Sequence, residues 1–403
     1  MSEPLVVIGN GMAAARFVEE LSARALGRYA VAVVGAEPRL AYNRVLLSSL
    51  LAGEVGPDEI ELRPAPWWRA RGVTLIFGRP AVEIDRAGRH AVLADGTRIP
   101  FARLVLATGS QAIRLPVPGR QLPGVLTFRD AGDVSALLAA ARHRARAVVV
   151  GGGLLGLEAA TGLAKAGARA TLVHLMDRLM ERQLDAPAAA LLKRAVEARG
   201  IEVLLEAETA AILGEARAEG LALGDGRTFA ADLVVFACGV RPNTDLARAA
   251  GLACGRGILV DDALQTSEPG IHAVGECAEH RGQVYGLVEP AYEQARVLAR
   301  RLAGEPVTYA GSVVATNLKV SGVHVFSAGD FMGAAGTESI VLSDPGVGAY
   351  RKLVLRDGRL VGAALVGDTA DALWYLDLIR SGTSVEGFRE DLVFGRALAA
   401  HAA

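Results

Sequence analysis

Cysteine is scarce. The 403 residues hold three, Cys238, Cys254 and Cys277, and no two are spaced as CxxC or CxxxxC. That spacing argues against a redox disulfide, and three thiols are too few for a four-cysteine iron–sulfur cluster. The expectation is three isolated thiols that pack or sit idle, and no metal site. Long apolar runs are also missing: each is broken by a charge or a glycine pair well short of the ~20 residues a bilayer span needs. The apolar segment at residues 5–8 has no basic leader and runs straight into a glycine turn, so no signal peptide is expected and the cytoplasm is the default location. Charge of one sign is lacking as well. The 43 basic and 44 acidic residues leave a net charge of −1, spread along the chain. Nothing in that balance draws the protein to nucleic acid or to an anionic membrane. Aromatics make up only 5%, yet 51% of residues are hydrophobic, so the expected core is aliphatic and wholesale disorder is excluded. The length asks for two or three domains.

What is present is glycine, placed in a pattern. The spacing predicts a strand at 5–8, a turn Gly9-Asn10-Gly11-Met12-Ala13-Ala14, a helix to Ala25 and a strand at 30–35. A near-copy follows: a strand at 147–150, Gly151-Gly152-Gly153-Leu154-Leu155-Gly156, a helix at 157–166 and a strand at 170–174. Two such βαβ openings form an internal repeat and imply an α/β architecture. In turns of this kind the first glycine permits the bend and the second lets backbone approach a pyrophosphate. The third small residue lets helix and strand pack, and the helix N-terminus offers free N–H groups to the anion. A lone match is weak evidence, because glycine turns also occur for structural reasons alone. Here each match follows an apolar strand and opens a helix, as dinucleotide binding requires. Glu37, after the second strand, is placed to accept hydrogen bonds from an adenosine ribose; a solvated turn acid is the alternative. In the second copy His174 stands in place of the acid. A neutral His174 could bond a ribose and Arg178 could meet a 2′-phosphate, or His174 is a strand-end histidine with no ligand.

Other segments organise the chain. Strands at 91–93 and 98–99 around Asp95-Gly96 read as a β-meander, and Pro116, Pro118 and Gly119 as a linker. A hairpin surrounds Gly224-Asp225-Gly226, and its domain ends near Arg241-Pro242-Asn243. Past Gly304-Glu305-Pro306 the pattern changes. Strands at 351–356 and 359–366 flank Asp357-Gly358, and a helix at 370–379 ends at Ser381-Gly382. This tail reads as a small α+β domain without a catalytic cluster. Trp67-Trp68 marks either a partner surface or a packed ledge.

Three further segments fall in order: Leu104-Val105-Leu106-Ala107-Thr108-Gly109, Ala237-Cys238-Gly239-Val240-Arg241-Pro242-Asn243 and Ile271-His272-Ala273-Val274-Gly275-Glu276. Together with the two turns they resemble the pyridine nucleotide–disulfide oxidoreductase-type flavoproteins. The resemblance implies two Rossmann-like domains of the glutathione-reductase type. The NAD(P)H domain (116–246) is inserted in a discontinuous FAD domain (1–115 and 247–305), and a small C-terminal α+β domain spans 306–403. It implies that FAD is held by Gly9, Gly11, Met12, Ala13, Ala14, Glu37, Arg44, Ser48, Ala81, Ala107, Thr108, Gly109, Gly275, Glu276, Gly286, Leu287 and Val288. NADH, or NADPH, would be held by Gly151, Gly153, Leu154, Leu155, Gly156, Glu158, His174 and Gly239. Glu276 replaces the family's shorter acid at the ribityl chain. Glu158, two residues into the expected helix, would meet the nicotinamide carboxamide, or else only complement the helix dipole. Arg44 would lie near the flavin or its pyrophosphate, or cap a loop; Ala81 would offer backbone to adenine. The helix opening near Glu289-Pro290 would point its N-terminus at the flavin pyrimidine edge.

Residues 42–49, 174–176, 179–185 and 284–290 are similar to the flavin-binding region of assimilatory NADH-dependent nitrite reductases. They also resemble the stand-alone electron-transfer subunits of assimilatory nitrate reductases. Ferredoxin and rubredoxin reductases share the fold, but their lysine after a Leu-Ser pair is Ser49 here, and their Glu-Ser-rich segment is Gly286-Leu287-Val288. The resemblance implies an FAD-dependent NAD(P)H oxidoreductase with NADH favoured, in which a hydride passes from nicotinamide C4 to flavin N5. No proton-transfer dyad is needed, and Glu158 and Arg44 are the residues nearest the chemistry. With no cysteine beside the flavin, electrons leave to an external redox protein. That acceptor would be a nitrate or nitrite reductase catalytic subunit, or alternatively ferredoxin or rubredoxin. A second alternative is a flavin-binding redox sensor without turnover; NADH peroxidase chemistry is disfavoured because no cysteine precedes Cys238. Nitrite reductases carry further cysteine-rich regions for an iron–sulfur cluster and sirohaem, so these residues alone are not expected to reduce nitrite.

Overall fold

The computed structural model describes residues 2–141, 145–320 and 323–399. The chain divides into two compact units. The first is Met1–Leu46, Val55–Gln111 and Val240–Ser312; the second is Leu47–Glu54, Ala112–Gly239 and Val313–Ala403.

The first unit is built on a five-stranded parallel sheet in the order Ile271–Ala273, Arg103–Leu106, Glu3–Ile8, Tyr29–Val34, Thr74–Ile76. Its central strand is buried on both faces, which is why residues 5–8 read as an unbroken apolar run. On one face lie the helices Met12–Ala25 and Val288–Leu302, with Phe17, Val18, Leu21, Ala295 and Leu298 in a shared core. The other face buries Ile84, Ala91 and Leu93 of the expected meander, formed by Ala81–Asp85, His90–Leu93 and Arg98–Pro100. Trp68 is fully buried with its Nε1 donating to the Arg63 carbonyl at 3.1 Å, and Trp67 meets it edge-on at 5.0 Å. The pair is a packed ledge.

The second unit repeats the scheme with a parallel sheet ordered Glu202–Leu204, Arg169–Val173, Arg146–Val150, Leu233–Phe236, Val125–Thr127. The segment expected as a linker is pinned, because the Ile212 N–H donates to the Pro118 carbonyl at 2.9 Å. The tail forms a five-stranded antiparallel sheet, ordered Ala315–Val320, Val323–Gly329, Arg359–Val366, Ala349–Arg356, Glu338–Asp344, with the helix Ala372–Ser381 against it. Only the hairpin Ala349–Arg356/Arg359–Val366 was announced by the spacing. The edge strand Glu338–Asp344 is mostly exposed and so carries little inside–outside alternation to read. Asp185 joins the two parts of this unit. It caps the helix Ala186–Glu197, accepts from the Tyr350 hydroxyl at 2.7 Å and pairs with Lys352 at 3.4 Å. Among the described residues no helix is long and apolar enough to cross a membrane.

Candidate functional site

Both glycine turns are built on one backbone plan. Gly9 has φ +117° and Gly151 φ +122°, a region that side-chain-bearing residues avoid. A Cβ on Gly9 would stand 2.0 Å from the Ala107 carbonyl oxygen, and one on Gly151 would stand 2.3 Å from that of Ala237. These close approaches come from the parallel neighbour strands, whose next N–H groups, those of Ala107 and Ala237, donate back to Ile8 and Val150 at 2.8 Å. Gly11 and Gly153 are the N-caps of the helices Met12–Ala25 and Leu154–Lys165. Neither helix has a side-chain cap, and a Cβ at either glycine would meet nothing within 4 Å. The first-turn N–H groups are therefore left for an external acceptor, as an anion site requires. The helices Ala131–Ala140 and Ala186–Glu197, by contrast, are capped by Asp130 and Asp185. At the third position a Cβ on Gly156 would fall 1.8 Å from the Gly151 carbonyl oxygen, whereas Ala14 is accommodated fully buried.

In the first unit the remaining expected residues gather around its turn. Glu37 accepts from the Tyr42 hydroxyl at 2.8 Å and from Arg44 Nη2 at 2.5 Å, so Arg44 orients the acid. A carboxylate keeps further lone pairs after those two bonds, enough for ribose hydroxyls. Asn10 Nδ2 donates to the Arg39 carbonyl at 3.1 Å, while Asn10 Oδ1 and Arg39 Nε are buried with no partner among the described residues. Buried polar atoms without partners are costly, and a bound nucleotide would satisfy them. Thr108 and Asn243 exchange hydrogen bonds of 2.9 and 2.8 Å, which ties residues 107–109 to the Arg241-Pro242-Asn243 segment. Gly275 approaches Ala13 closely, and its N–H donates to the buried Gln294 side chain at 2.7 Å. Glu276 accepts from the Ser110 hydroxyl at 2.7 Å, a partner that steers the longer acid. The helix Val288–Leu302 opens with Leu287 as N-cap and no side-chain cap, so Gly286, Leu287 and Val288 mark an open helix end. Ala81 begins its strand in this unit, whereas Ser48 belongs to the second. Asn10, Arg39, Ser110 and Gln294 were not singled out from the sequence. Their roles come from neighbours far along the chain.

In the second unit the helix starts at Leu154, three residues earlier than expected, because Gly153 already caps it. Glu158 is therefore the fifth helical residue and not the second, and no acid lies in the first turn. The dipole alternative loses its basis, since that effect fades within the first turn. Glu158 is half-buried, and among the described residues no hydrogen bond or ion pair engages it; burial pushes its carboxyl up to about 7. An unpaired carboxyl beside an uncapped turn is suited to a ligand amide. His174 is buried and engaged on both sides. The Gly152 N–H donates to its Nδ1 at 3.0 Å, and its Nε2 lies 3.1 Å from Glu181 Oε2. Gly239 lies in the loop after Leu233–Phe236, its carbonyl accepting from the Ile113 N–H at 3.0 Å. All three cysteines are free thiols; burial pushes Cys238 up to about 11 and raises Cys277 as well.

Known proteins share this arrangement. The family described as "Pyridine nucleotide-disulphide oxidoreductase" matches residues 3–295, and "Rubredoxin NAD+ reductase C-terminal domain" matches residues 315–383. The nitrite reductase [NAD(P)H] of Bacillus subtilis is 45% identical over 94% of this chain and 48% of that protein. The assimilatory nitrate reductase electron transfer subunit of the same organism is 42% identical over 93% of this chain and 48% of that protein. The chain thus spans about half the length of these relatives. A ferredoxin reductase from Rhodopseudomonas palustris superposes with a TM-score of 0.88 at 28% identity, covering all of both chains.

Proposed function

The chain belongs to the pyridine nucleotide-disulphide oxidoreductase family, and from that premise we propose that it is an FAD-dependent NAD(P)H oxidoreductase delivering electrons to another protein. One observation carries the reading: the uncapped glycine turn is built twice, once in each unit, on the same backbone plan. The Gly9 turn, with Glu37, Arg44 and Glu276, holds FAD; the Gly151 turn, with Glu158, holds the nicotinamide dinucleotide. On this reading residues 1–115 and 247–305 form the FAD domain, 116–246 the NAD(P)H domain and 306–403 the C-terminal domain. When bound, the two cofactors supply hydride transfer. The residues contribute orientation: N–H groups toward each pyrophosphate, carboxylates toward the ribityl and ribose hydroxyls, and the Glu158 carboxyl toward the carboxamide. The three thiols are not arranged as a disulfide relay, so electrons go directly to a partner. The preferred partner is the catalytic component of an assimilatory nitrate or nitrite reductase, in the cytoplasm, which the similarity to the two Bacillus subtilis proteins supports. A ferredoxin or rubredoxin acceptor is the second reading, supported by the match of residues 315–383.

The test has two stages. The purified protein should be yellow and should bleach on anaerobic addition of NADH. Reoxidation is then timed with a nitrate or nitrite reductase catalytic component, with ferredoxin and with rubredoxin. Fast reoxidation by the reductase component supports the first reading, and by ferredoxin or rubredoxin alone the second. Flavin that NADH and NADPH both leave oxidised refutes the proposed activity.

A further inference from the structure

A Rossmann dinucleotide site ordinarily reads the adenosine ribose with an acid about 20 residues past the first glycine. At that place the chain has His174, and the ring does not present a free polar edge. Its Nδ1 accepts from the Gly152 N–H at 3.0 Å, so the ring proton resides on Nε2 and points at Glu181 Oε2, 3.1 Å away. The whole segment is folded back on the glycine turn. The Met180 N–H donates to the Gly152 carbonyl at 3.0 Å, and a Cβ on Gly152 would lie 2.6 Å from the His174 ring and 2.8 Å from the Leu179 side chain. The middle glycine of Gly151-Gly152-Gly153 is thereby explained: it lets an imidazole lie flat against the turn. Glu181 is thus brought to the turn by a fixed histidine, its side chain 23% exposed.

The neighbouring arginines neutralise Glu181 only weakly. Arg178 pairs with Asp177, with Nη1 2.9 Å from Oδ1, and its Nε faces the Leu184 carbonyl at 3.4 Å. Arg182 is 88% exposed and comes no nearer to Glu181 than 3.9 Å. We propose that Glu181, seated by His174, is the residue that admits a nicotinamide dinucleotide with a free adenosine 2′-hydroxyl and turns away the 2′-phosphorylated form. The carboxylate accepts from a hydroxyl and repels a phosphate dianion, while His174 acts as a positioning residue. This inference rests on the Gly151 turn being the nicotinamide dinucleotide site.

The experiment measures binding on the FAD-loaded full chain by titration calorimetry, with ADP-ribose and 2′-phospho-ADP-ribose as probes. The wild type should prefer ADP-ribose by about tenfold or more, the range expected when like charges are juxtaposed. Glu181→Gln should reduce that preference by about tenfold, through tighter 2′-phospho-ADP-ribose binding and a weaker hold on ADP-ribose. Glu181→Ala provides the same comparison should the amide find a new partner, and His174→Asn should lower the preference with Glu181 still present. A preference that survives both Glu181 substitutions overturns the proposal and leaves the site assignment standing. If neither probe binds although the flavin is retained, the site assignment falls and takes this inference with it.

Discussion

Replacing Glu158 by glutamine should stabilise the protein at alkaline pH and not at acid pH. The carboxyl is pushed from its ordinary 4.5 up to about 7 by burial in the fold. A raised acid binds its proton more tightly when folded than when unfolded. Between the two values the folded state holds more protons, so stability falls as pH rises through the window from 4.5 to about 7 and stays low above it. A shift of this size corresponds to about 3.4 kcal/mol at most, with about 2.5 kcal/mol of it lost between pH 5 and pH 8. Partial exposure favours the ionised form, so this is an upper bound. For a cooperative unit of roughly 200 residues, 1 kcal/mol moves Tm by about 2–4 °C. Differential scanning calorimetry of FAD-loaded wild type and Glu158→Gln, at one scan rate from pH 5 to pH 8, should show the variant's advantage growing by several degrees. A difference that stays flat across that range would refute the reasoning. Saturating NAD+ should reduce the growth if the ligand amide pairs with the carboxylate.

Gly11→Val should fold, because a Cβ there meets nothing within 4 Å, yet emerge colourless because the added bulk occupies the approach to the helix N-terminus. Gly9→Ala should instead lower soluble yield, since φ +117° and a 2.0 Å contact with backbone both oppose a Cβ; equal yield and colour in both variants would contradict the turn assignment. A Cys238→Ala, Cys254→Ala, Cys277→Ala triple variant should be bleached by NADH anaerobically as fast as the wild type, and a lost half-reaction would implicate a thiol. Asp185→Ala removes a helix cap, the Tyr350 bond and the Lys352 pair together. It should cost about 2–4 kcal/mol in chemical denaturation of the second unit, and a cost under 1 kcal/mol would show the junction to be dispensable.

The sequence by itself determined the two glycine turns between strand and helix, because each is a local object. An apolar strand, glycines at fixed offsets and a helix start lie within about 20 residues, and their spacing follows from strand and helix geometry. It also determined the scarcity of thiols, and with it the expectation of direct electron exit. The tertiary structure decided everything that depends on residues distant along the chain. Glu37 is oriented by Tyr42 and Arg44, Glu276 by Ser110, and Gly275 by Gln294. Such pairs leave no periodic trace in a single sequence, because the contacts form only when separate strands and helices pack. The case of His174 is the clearest. Read in sequence, it is an acid gone missing; in the fold, its ring is engaged between Gly152 and Glu181, an acid seven residues later on a segment folded back onto the turn.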